Sequence, residues 1–156
     1  MLLKMVLKTC LVLLACAVSQ AAAAADRWAF RNADGEIKFG YVGSGSSNFD
    51  TLYFECDPTS REIRVSAAAG NRRPKSGRAT ATVRAASRTA TIAGPVSEFD
   101  FDGVYSLETT LPRDHPVFDL LATGAVVSYA APGWTRPKLA TAGQKDAVAK
   151  FLAACR

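Results

Sequence analysis

The chain has 156 residues, of which 49% are apolar and 21% charged, and its 19 basic and 14 acidic side chains give a formal charge of +5. This composition predicts one globular domain and excludes a disordered tail, a collagen-like repeat and a polytopic membrane protein. The sequence holds one histidine and four cysteines, which excludes a histidine-rich metal site.

Residues 1–25 have the pattern of a secretory signal peptide. Two lysines supply a positive start, an apolar run covers 11–18, and small residues fill 21–25. The run is about half of the ~20 residues that a membrane-spanning helix needs, so we expect no transmembrane span. The remaining chain, 26–156, is expected to be a single β-rich domain that is periplasmic or secreted.

A lipid anchor at Cys16 is the alternative to a soluble exported protein. Residues 13–16 resemble a bacterial lipobox, in which this cysteine would be acylated and 17–25 would form a tether. Cleavage after Ala23 or Ala25 would instead release a soluble domain. The first interpretation predicts an envelope-anchored lipoprotein, and the second predicts a soluble periplasmic or secreted protein.

Removal of the signal leaves two cysteines, Cys56 and Cys155, in the mature chain. In an oxidising compartment this pair favours one disulfide, here between a strand and the C-terminal helix. A bond that closes a loop of roughly 100 residues contributes up to about 4.7 kcal/mol in the chain-entropy account. Two free thiols are the alternative. Two cysteines without a nearby histidine cannot complete a tetrahedral metal shell, and we expect no cofactor.

Most of the mature chain alternates apolar and polar residues with a period of two, as half-buried strands do. Strands are predicted over 28–31, 37–41, 52–56, 63–67, 78–85, 88–93, 96–101, 104–111 and 125–131. The dipeptides Asp34-Gly35 and Asp102-Gly103 predict tight turns in two hairpins.

Two short helices are predicted in the C-terminal third. Asp114 is the expected cap of the first helix, which ends at Gly124. Thr141 and Gln144 have the spacing of a capping box at the start of the second. The predicted fold class is therefore mainly β, an antiparallel β-sandwich or open barrel with two short helices.

Charge is segregated along the mature chain, since 58–97 contains eight basic and one acidic side chain while 98–119 contains one basic and six acidic ones. Six basic residues are candidates for binding an anion: Arg64, Arg72, Arg73, Lys75, Arg78 and Arg84. Four of them lie in 70–78, where two glycines and a proline predict an exposed hairpin loop. The expected partner is an anionic envelope component or an acidic protein. A solvated face that keeps an edge hairpin from aggregating is the alternative.

Acidic side chains alternate with phenylalanines directly after this basic stretch. Glu98, Asp100 and Asp102 would share one face of a strand, opposite Phe99 and Phe101. The functional hypotheses are a calcium site or an acid–base pair. The structural hypotheses are a charged outer face over a core lined by the phenylalanines and internal pairing of these acids with the basic hairpin.

Other motifs favour structural roles or exclude functions. The loop at 43–48 lacks the third glycine and the following helix of a phosphate-binding loop. His115 favours capping over base catalysis, and Trp28 and Trp134 favour anchoring over ligand stacking. Without a recognisable nucleophile–base pair we expect no enzyme. Export, and the lack of aromatic residues in 55–98, argue against nucleic acid.

The mature chain combines a tryptophan in its first strand, a strand that ends in cysteine, a short helix before a late strand, and a final helix. These features are Trp28, Leu52 to Cys56, Phe118 to Gly124, and Gly143 to Cys155. The combination resembles the invasion-associated locus B-like proteins of bacteria. The resemblance implies a β-rich, non-enzymatic envelope protein associated with virulence, and it assigns no binding residues.

We therefore expect an exported, non-catalytic binding protein of the bacterial envelope whose basic hairpin contacts an anionic partner. The alternative is an inhibitor of a secreted hydrolase, either a lysozyme or a protease. Small periplasmic lysozyme inhibitors are similar in being exported, disulfide-bonded β domains. C-type lysozymes are basic, however, and would be repelled by a basic inhibitor.

Overall fold

The structure, a computed structural model, describes residues 25–71, 74–98 and 105–156. Within these residues the chain forms nine strands and two helices. The strands are β1 (Arg27–Ala33), β2 (Glu36–Val42), β3 (Phe49–Cys56), β4 (Ile63–Gly70), β5 (Arg78–Ala85), β6 (Arg88–Glu98), β7 (Tyr105–Leu111), β8 (Val127–Ala131) and β9 (Trp134–Leu139), and the helices are α1 (Pro116–Ala122) and α2 (Gln144–Ala154). All strand pairs are antiparallel, in the order β1-β2-β3-β4-β7-β6-β5-β8-β9. The predicted fold class, mainly β with two short helices, is confirmed.

The alternation of apolar and polar residues gives the sheet a buried inner side and a solvent-facing outer side. In β5, Ala79, Ala81 and Val83 are buried, whereas Arg78 and Arg84 are exposed. Successive side chains of a strand point to opposite faces, so each strand contributes to both sides. The apolar side packs on α1 and α2, and the charged side faces solvent.

Four phenylalanines join the inner side of the sheet to the helices. The rings of Phe39 and Phe54 stack with centroids 5.4 Å apart, and Phe54 lies 5.1 Å from Phe118 of α1. Phe151 of α2 lies 5.7 Å from Phe39. Each of these residues is at most 2% exposed. Burial of a side chain of this size contributes about 1.5–3 kcal/mol, so the cluster fixes both helices to the sheet.

A disulfide joins Cys56, the last residue of β3, to Cys155 at the C-terminal end of α2. The two Cα atoms are 5.8 Å apart, a normal separation for a disulfide. Both residues are buried in the core. The predicted bond between a strand and the C-terminal helix is therefore confirmed.

The sheet curls into a nearly closed barrel. At the seam, β1 contacts the segment that follows β9. The backbone N–H of Trp28 donates to the Ala142 carbonyl at 2.8 Å, and its indole N–H donates to the Ala140 carbonyl at 2.9 Å. Trp28 is buried, so the prediction that it anchors the core is confirmed.

A polar network reinforces the same seam. The Tyr41 hydroxyl donates to an Asp26 carboxylate oxygen at 2.8 Å and accepts from the Ala140 N–H at 3.3 Å. Arg136 of β9 lies 3.2 Å from an Asp50 carboxylate oxygen of β3. Burial, with a further contribution from Asp26, raises the pKa of Tyr41, so its hydroxyl keeps the proton that it donates.

Two predictions about the strands are wrong. The stretches predicted as separate strands, 88–93 and 96–101, contribute to one strand, β6, which pairs with β5 and then with β7. It passes close to β7 at Gly94, where a Cβ would lie 2.7 Å from the Glu108 carbonyl oxygen. Strand β9 is missing from the predicted strands because Pro137 and its charged neighbours weaken the strand pattern.

The two predicted hairpins have different outcomes. Asp34 and Gly35 have φ angles of 54° and 80° in the turn between β1 and β2, as a tight hairpin turn requires, so this hairpin is confirmed. Strands β6 and β7 also pair, with Glu98 opposite Tyr105. A two-residue turn at 102–103 would instead place Glu98 opposite residue 107, two residues further along β7. Residues 102–103 themselves lie outside the described residues.

Both predicted helix caps are wrong. His115, rather than Asp114, caps α1: its Nδ1 accepts from the backbone N–H two residues later at 3.3 Å. The capping box of Thr141 and Gln144 does not form. Gln144 is fully buried and donates instead to a carbonyl of α1 at 3.0 Å, because a buried amide needs a partner more than an exposed helix end does.

The predictions for the first segment, a signal peptide over 1–25 with a lipid anchor at Cys16 as the alternative, fall on residues that the structure does not describe, apart from Ala25. Over the described ranges, no helix is both long and apolar enough to cross a membrane.

Candidate anion-binding surface

The basic loop, residues 70–78, leaves β4 against the turn between β8 and β9. Gly70 has a φ of +99°, and a Cβ at this position would lie 2.8 Å from the carbonyl carbon of Gly133. A side chain here would clash with that turn, and the backbone angle itself favours glycine. This close approach holds the first end of the loop to the rest of the barrel.

A turn and a contact with β6 hold the other end of the basic loop. The Gly77 N–H donates to the Pro74 carbonyl at 2.9 Å, and the Gly77 carbonyl accepts from the Val96 N–H at 2.9 Å. The Ser76 hydroxyl donates to the Arg78 carbonyl at 3.0 Å. This part of the loop therefore has a defined shape on which its side chains are presented.

Lys75 and Arg78 are exposed on this turn. Neither has a carboxylate oxygen within 4.0 Å among the described residues. Arg72 and Arg73 lie between the described ranges. The described part of the loop thus presents two cations whose charges no described neighbour balances at close range.

Arg64 lies in a different environment, on the outer side of β4. It belongs to a group of ion-paired residues, termed here the paired cluster: Glu36, Lys38, Glu55 and Arg64. An Arg64 Nη lies 2.8 Å from Glu55, and Lys38 Nζ lies 2.7 Å from Glu36 and 3.9 Å from Glu55. The bond to Glu36 is the main reason that the pKa of Lys38 is raised. Two carboxylates balance the two cations, so the cluster has little net charge to offer a distant anion.

Arg84 is exposed but separate from the basic loop. It lies six residues after Arg78 on the same strand, a separation of about 20 Å at the usual rise per residue. Its strand neighbours are Thr89 on β6 and Ser128 on β8. Of the six predicted binding residues, the structure therefore brings Lys75 and Arg78 together and places the other described residues, Arg64 and Arg84, elsewhere.

The basic loop is not the hairpin that the sequence predicts. Strand β4 pairs with β3 and β7, while β5 pairs with β6 and β8, so the loop connects two strands that are not neighbours. Glu55, the partner of Arg64, is not among the residues that the sequence patterns predict. The pairing of Cys56 with Ile63 determines that register, and counting back from this pair would have revealed the contact.

Two of the other singled-out residues have structural roles. His115 caps α1, as the capping interpretation predicts, and burial lowers its pKa. Trp134 is partly buried against the core, with the Arg136 guanidinium 5.4 Å from its ring. The loop at 43–48 closes on the barrel seam, where the Ser44 N–H donates to Asp26.

Most of the acidic stretch, 98–102, lies outside the residues that the structure describes. Glu98 is exposed at the end of β6, and Asp100 and Asp102 are not among the described residues. In the part of the chain that the structure describes, no three His, Cys, Asp or Glu side chains are grouped as metal ligands would be. The calcium and acid–base hypotheses stay predictions.

No family model, curated protein or solved structure matches this chain.

Proposed function

We propose that this protein is an exported, non-catalytic binding protein of the bacterial envelope and that its basic loop contacts an anionic partner. The observation that carries the proposal is the exposed pair Lys75 and Arg78, with no carboxylate oxygen within 4.0 Å of either among the described residues. The loop that carries them is held at both ends, so binding would cost less conformational entropy than on a free segment. Unbalanced cations also attract anionic surfaces over several ångströms.

The chemistry of the loop suits phosphate-bearing groups. The Arg78 guanidinium can donate two parallel hydrogen bonds to one phosphate, and Lys75 adds a compact positive charge. The basic loop carries four cations within nine residues of the sequence, and each cation held near an anionic lipid surface adds to the attraction. We therefore favour an anionic lipid surface of the envelope over an acidic protein as the partner.

Two further observations support the envelope location. The Cys56–Cys155 disulfide is the kind of bond that persists in oxidising compartments outside the cytoplasm. The sequence pattern of 1–25 is that of an export signal. The association with virulence rests on the resemblance to the invasion-associated locus B-like proteins and is part of the same proposal.

The test measures binding of the mature protein to vesicles of phosphatidylglycerol mixed with phosphatidylcholine. One variant replaces Arg72, Arg73, Lys75 and Arg78 with serine. Each cation near an anionic surface contributes about 1 kcal/mol, so we expect the variant to bind at least about tenfold more weakly. Raising the salt concentration should weaken wild-type binding and leave the variant nearly unchanged.

The double variant Lys75→Ser with Arg78→Ser has a control matched in charge, which replaces Arg84 and Arg88 with serine, because both are exposed at the far end of β5 and β6. We expect this control to retain most of the vesicle binding, and vesicles of phosphatidylcholine alone to bind neither protein. An equal loss in both variants would indicate diffuse basicity and contradict a loop-specific site. A wild-type protein that ignores anionic vesicles would exclude the lipid surface.

A further inference from the structure

A groove crosses the outer side of the sheet, away from the basic loop. Two neighbouring depressions of about 370 Å³ each form it, and the side chain of Tyr53 lines both of them. The residues around it come from β1, β2, β3, β4 and β7, with Pro95 of β6 at one border. Four inter-strand spacings separate β1 from β7, so the groove is about 19 Å long, a length that suits a short polymer.

An aromatic pair lies at the middle of the groove. The rings of Phe49 and Tyr53 stack with centroids 5.8 Å apart, and the Arg31 guanidinium lies 4.4 Å from the Phe49 centroid. Gly40 of β2 makes room for the pair, because a Cβ there would lie 2.5 Å from the Tyr53 Cβ. Phe49 lines only one of the two depressions, so Tyr53 is the one member of the aromatic pair that lines the other.

Polar side chains surround Tyr53 in two rows. Ser66 and Glu108 continue the row of Tyr53 across β4 and β7, and Arg64 and Thr110 continue the row of Glu55. Residues two apart on a strand share a face, so both rows face the groove, as its lining shows. The groove therefore combines one aromatic platform with hydroxyl, carboxylate and guanidinium groups.

These polar groups retain hydrogen-bonding capacity. Arg64 uses one Nη to reach Glu55, and a guanidinium has five N–H donors in all. The Glu108 carboxylate accepts from the Ser106 hydroxyl at 3.3 Å, and a carboxylate can accept about four hydrogen bonds. A ligand hydroxyl can both donate to a carboxylate and accept from a guanidinium, so a polyhydroxylated ligand matches this set.

The charge of the groove selects against an anionic ligand. Its lining contains three basic side chains and four acidic ones: Arg31, Lys38, Arg64, Asp34, Glu36, Glu55 and Glu108. Acids and bases are interspersed, and several are already paired. A polyanion would meet as much repulsion as attraction, whereas an uncharged ligand meets neither.

We propose that this groove binds an uncharged saccharide chain, with one sugar ring stacked on Tyr53 and its hydroxyl groups bound by Arg64 and Glu108. The C–H face of a sugar ring suits an aromatic platform, and the faces of β-sheets are known to bind oligosaccharides in other small barrels. This site is distinct from the basic loop, and its proposed ligand differs in charge. Either proposal can fail without the other.

The test uses calorimetric titration of the whole mature protein with three neutral tetrasaccharides: cellotetraose, chitotetraose and maltotetraose. We expect at least one of them to bind, and we expect Tyr53→Ala to weaken that binding about tenfold. Tyr53→Phe keeps the ring and should stay within about threefold of the wild type. High salt should leave the affinity unchanged, because the ligand carries no charge.

Thr80→Ala is the matched control, since Thr80 is exposed on the outer side of β5 outside the groove. Glu108→Gln provides a second groove variant if Tyr53→Ala unfolds, and it should also weaken binding. A wild-type protein that binds none of the three sugars would overturn the proposal. So would binding that both groove variants leave intact, or binding that high salt abolishes.

Discussion

The paired cluster and the basic loop both expose cations on the same barrel, but they differ in how those charges are balanced. In the paired cluster, Glu55 lies between Arg64 and Lys38 and within 4.0 Å of both. In the basic loop, Lys75 and Arg78 lack such a partner among the described residues. A count of basic residues therefore does not locate an anion-binding surface.

Pairing changes what a cation can do. An exposed ion pair contributes little to stability, with a typical value of about 0–1 kcal/mol, yet it cancels most of the field of its members at a distance. An unpaired cation contributes no more to stability than a paired one does, but its electrostatic field can still attract a partner. The same residue types can therefore form ion pairs within the protein in one place and attract an anionic partner in another.

The largest expected effect concerns the disulfide, which lies beside the paired cluster and far from the basic loop. Cys56 follows Glu55 in β3, whereas the loop begins at the opposite end of β4. Replacing Cys56 and Cys155 with serine should lower the free energy of unfolding by up to about 4.7 kcal/mol. Urea denaturation measures this loss.

The same disulfide variant can be combined with Lys75→Ser and Arg78→Ser. Cys56 pairs with Ile63 at one end of β4 and the loop begins at Gly70 at the other end, about 23 Å away at the usual rise per residue. The effects of the two sets of changes on unfolding should therefore add within about 0.5 kcal/mol. A clear departure from additivity would show that the loop and the disulfide are energetically coupled, and the two regions would then not be independent.

A smaller effect tests whether the shape of the basic loop matters as well as its charge. Gly70→Ala introduces a Cβ that meets the β8–β9 turn at 2.8 Å and should cost about 1–3 kcal/mol of unfolding free energy. Gly45→Ala is the matched control, because its φ is also positive, at +73°, and no atom lies within 4 Å of the added Cβ. Thermal denaturation should show a larger loss of stability for Gly70→Ala than for Gly45→Ala.

Gly70→Ala should also weaken vesicle binding more than Gly45→Ala does, although neither change alters the charge. Equal vesicle binding by the two glycine variants would mean that the anchored shape of the loop contributes nothing to the contact.

A still smaller effect measures the pairing itself. Glu55→Gln leaves Arg64 and Lys38 without their shared carboxylate and should lower the free energy of unfolding by about 0.5–1 kcal/mol. Lys75→Ser with Arg78→Ser should change it by less than about 0.5 kcal/mol, since no described ion pair is broken. Urea titrations of both variants make the comparison, and the reverse order would contradict the assignment of paired and unpaired cations.

The smallest expected effect is the dependence of stability on pH that comes from His115. Burial lowers the pKa of His115 in the folded protein below its usual value of about 6.5. The unfolded chain then binds the proton more readily, so the free energy of unfolding should fall as the pH drops below about 6.5. His115→Asn keeps a capping side chain and should flatten this decline. Denaturation between pH 7.5 and about 5 measures it, and an unchanged pH profile in the variant would contradict the assignment.

Much of the fold could be predicted because its signals are local. Alternating residues identify β1 to β4, and the positive φ angles of Asp34 and Gly35 match a turn that the dipeptide itself predicts. The partner of Cys56 follows from elimination if the predicted signal peptide over 1–25 is set aside. These features depend on neighbouring residues or on a count, so the sequence alone contains them.

The remaining features depend on long-range pairing. The hairpin predicted at 70–78 is wrong because β4 pairs with β7, which comes much later in the chain. The sequence position of Arg64 suggests a grouping with Arg78, yet Glu55 of the neighbouring strand β3 balances its charge. Gln144 fits a capping box locally, but burial directs its amide to α1. Sheet register and burial, which the sequence does not state, decide these cases.

The most direct test compares two double variants that each remove two positive charges, Lys75→Ser with Arg78→Ser and Lys38→Ser with Arg64→Ser. Binding to phosphatidylglycerol vesicles is measured for both under the same salt conditions. The loop variant should lose at least about tenfold in affinity, whereas the paired-cluster variant should stay within about threefold of the wild type. Equal losses, or a greater loss for the paired-cluster variant, would contradict the account.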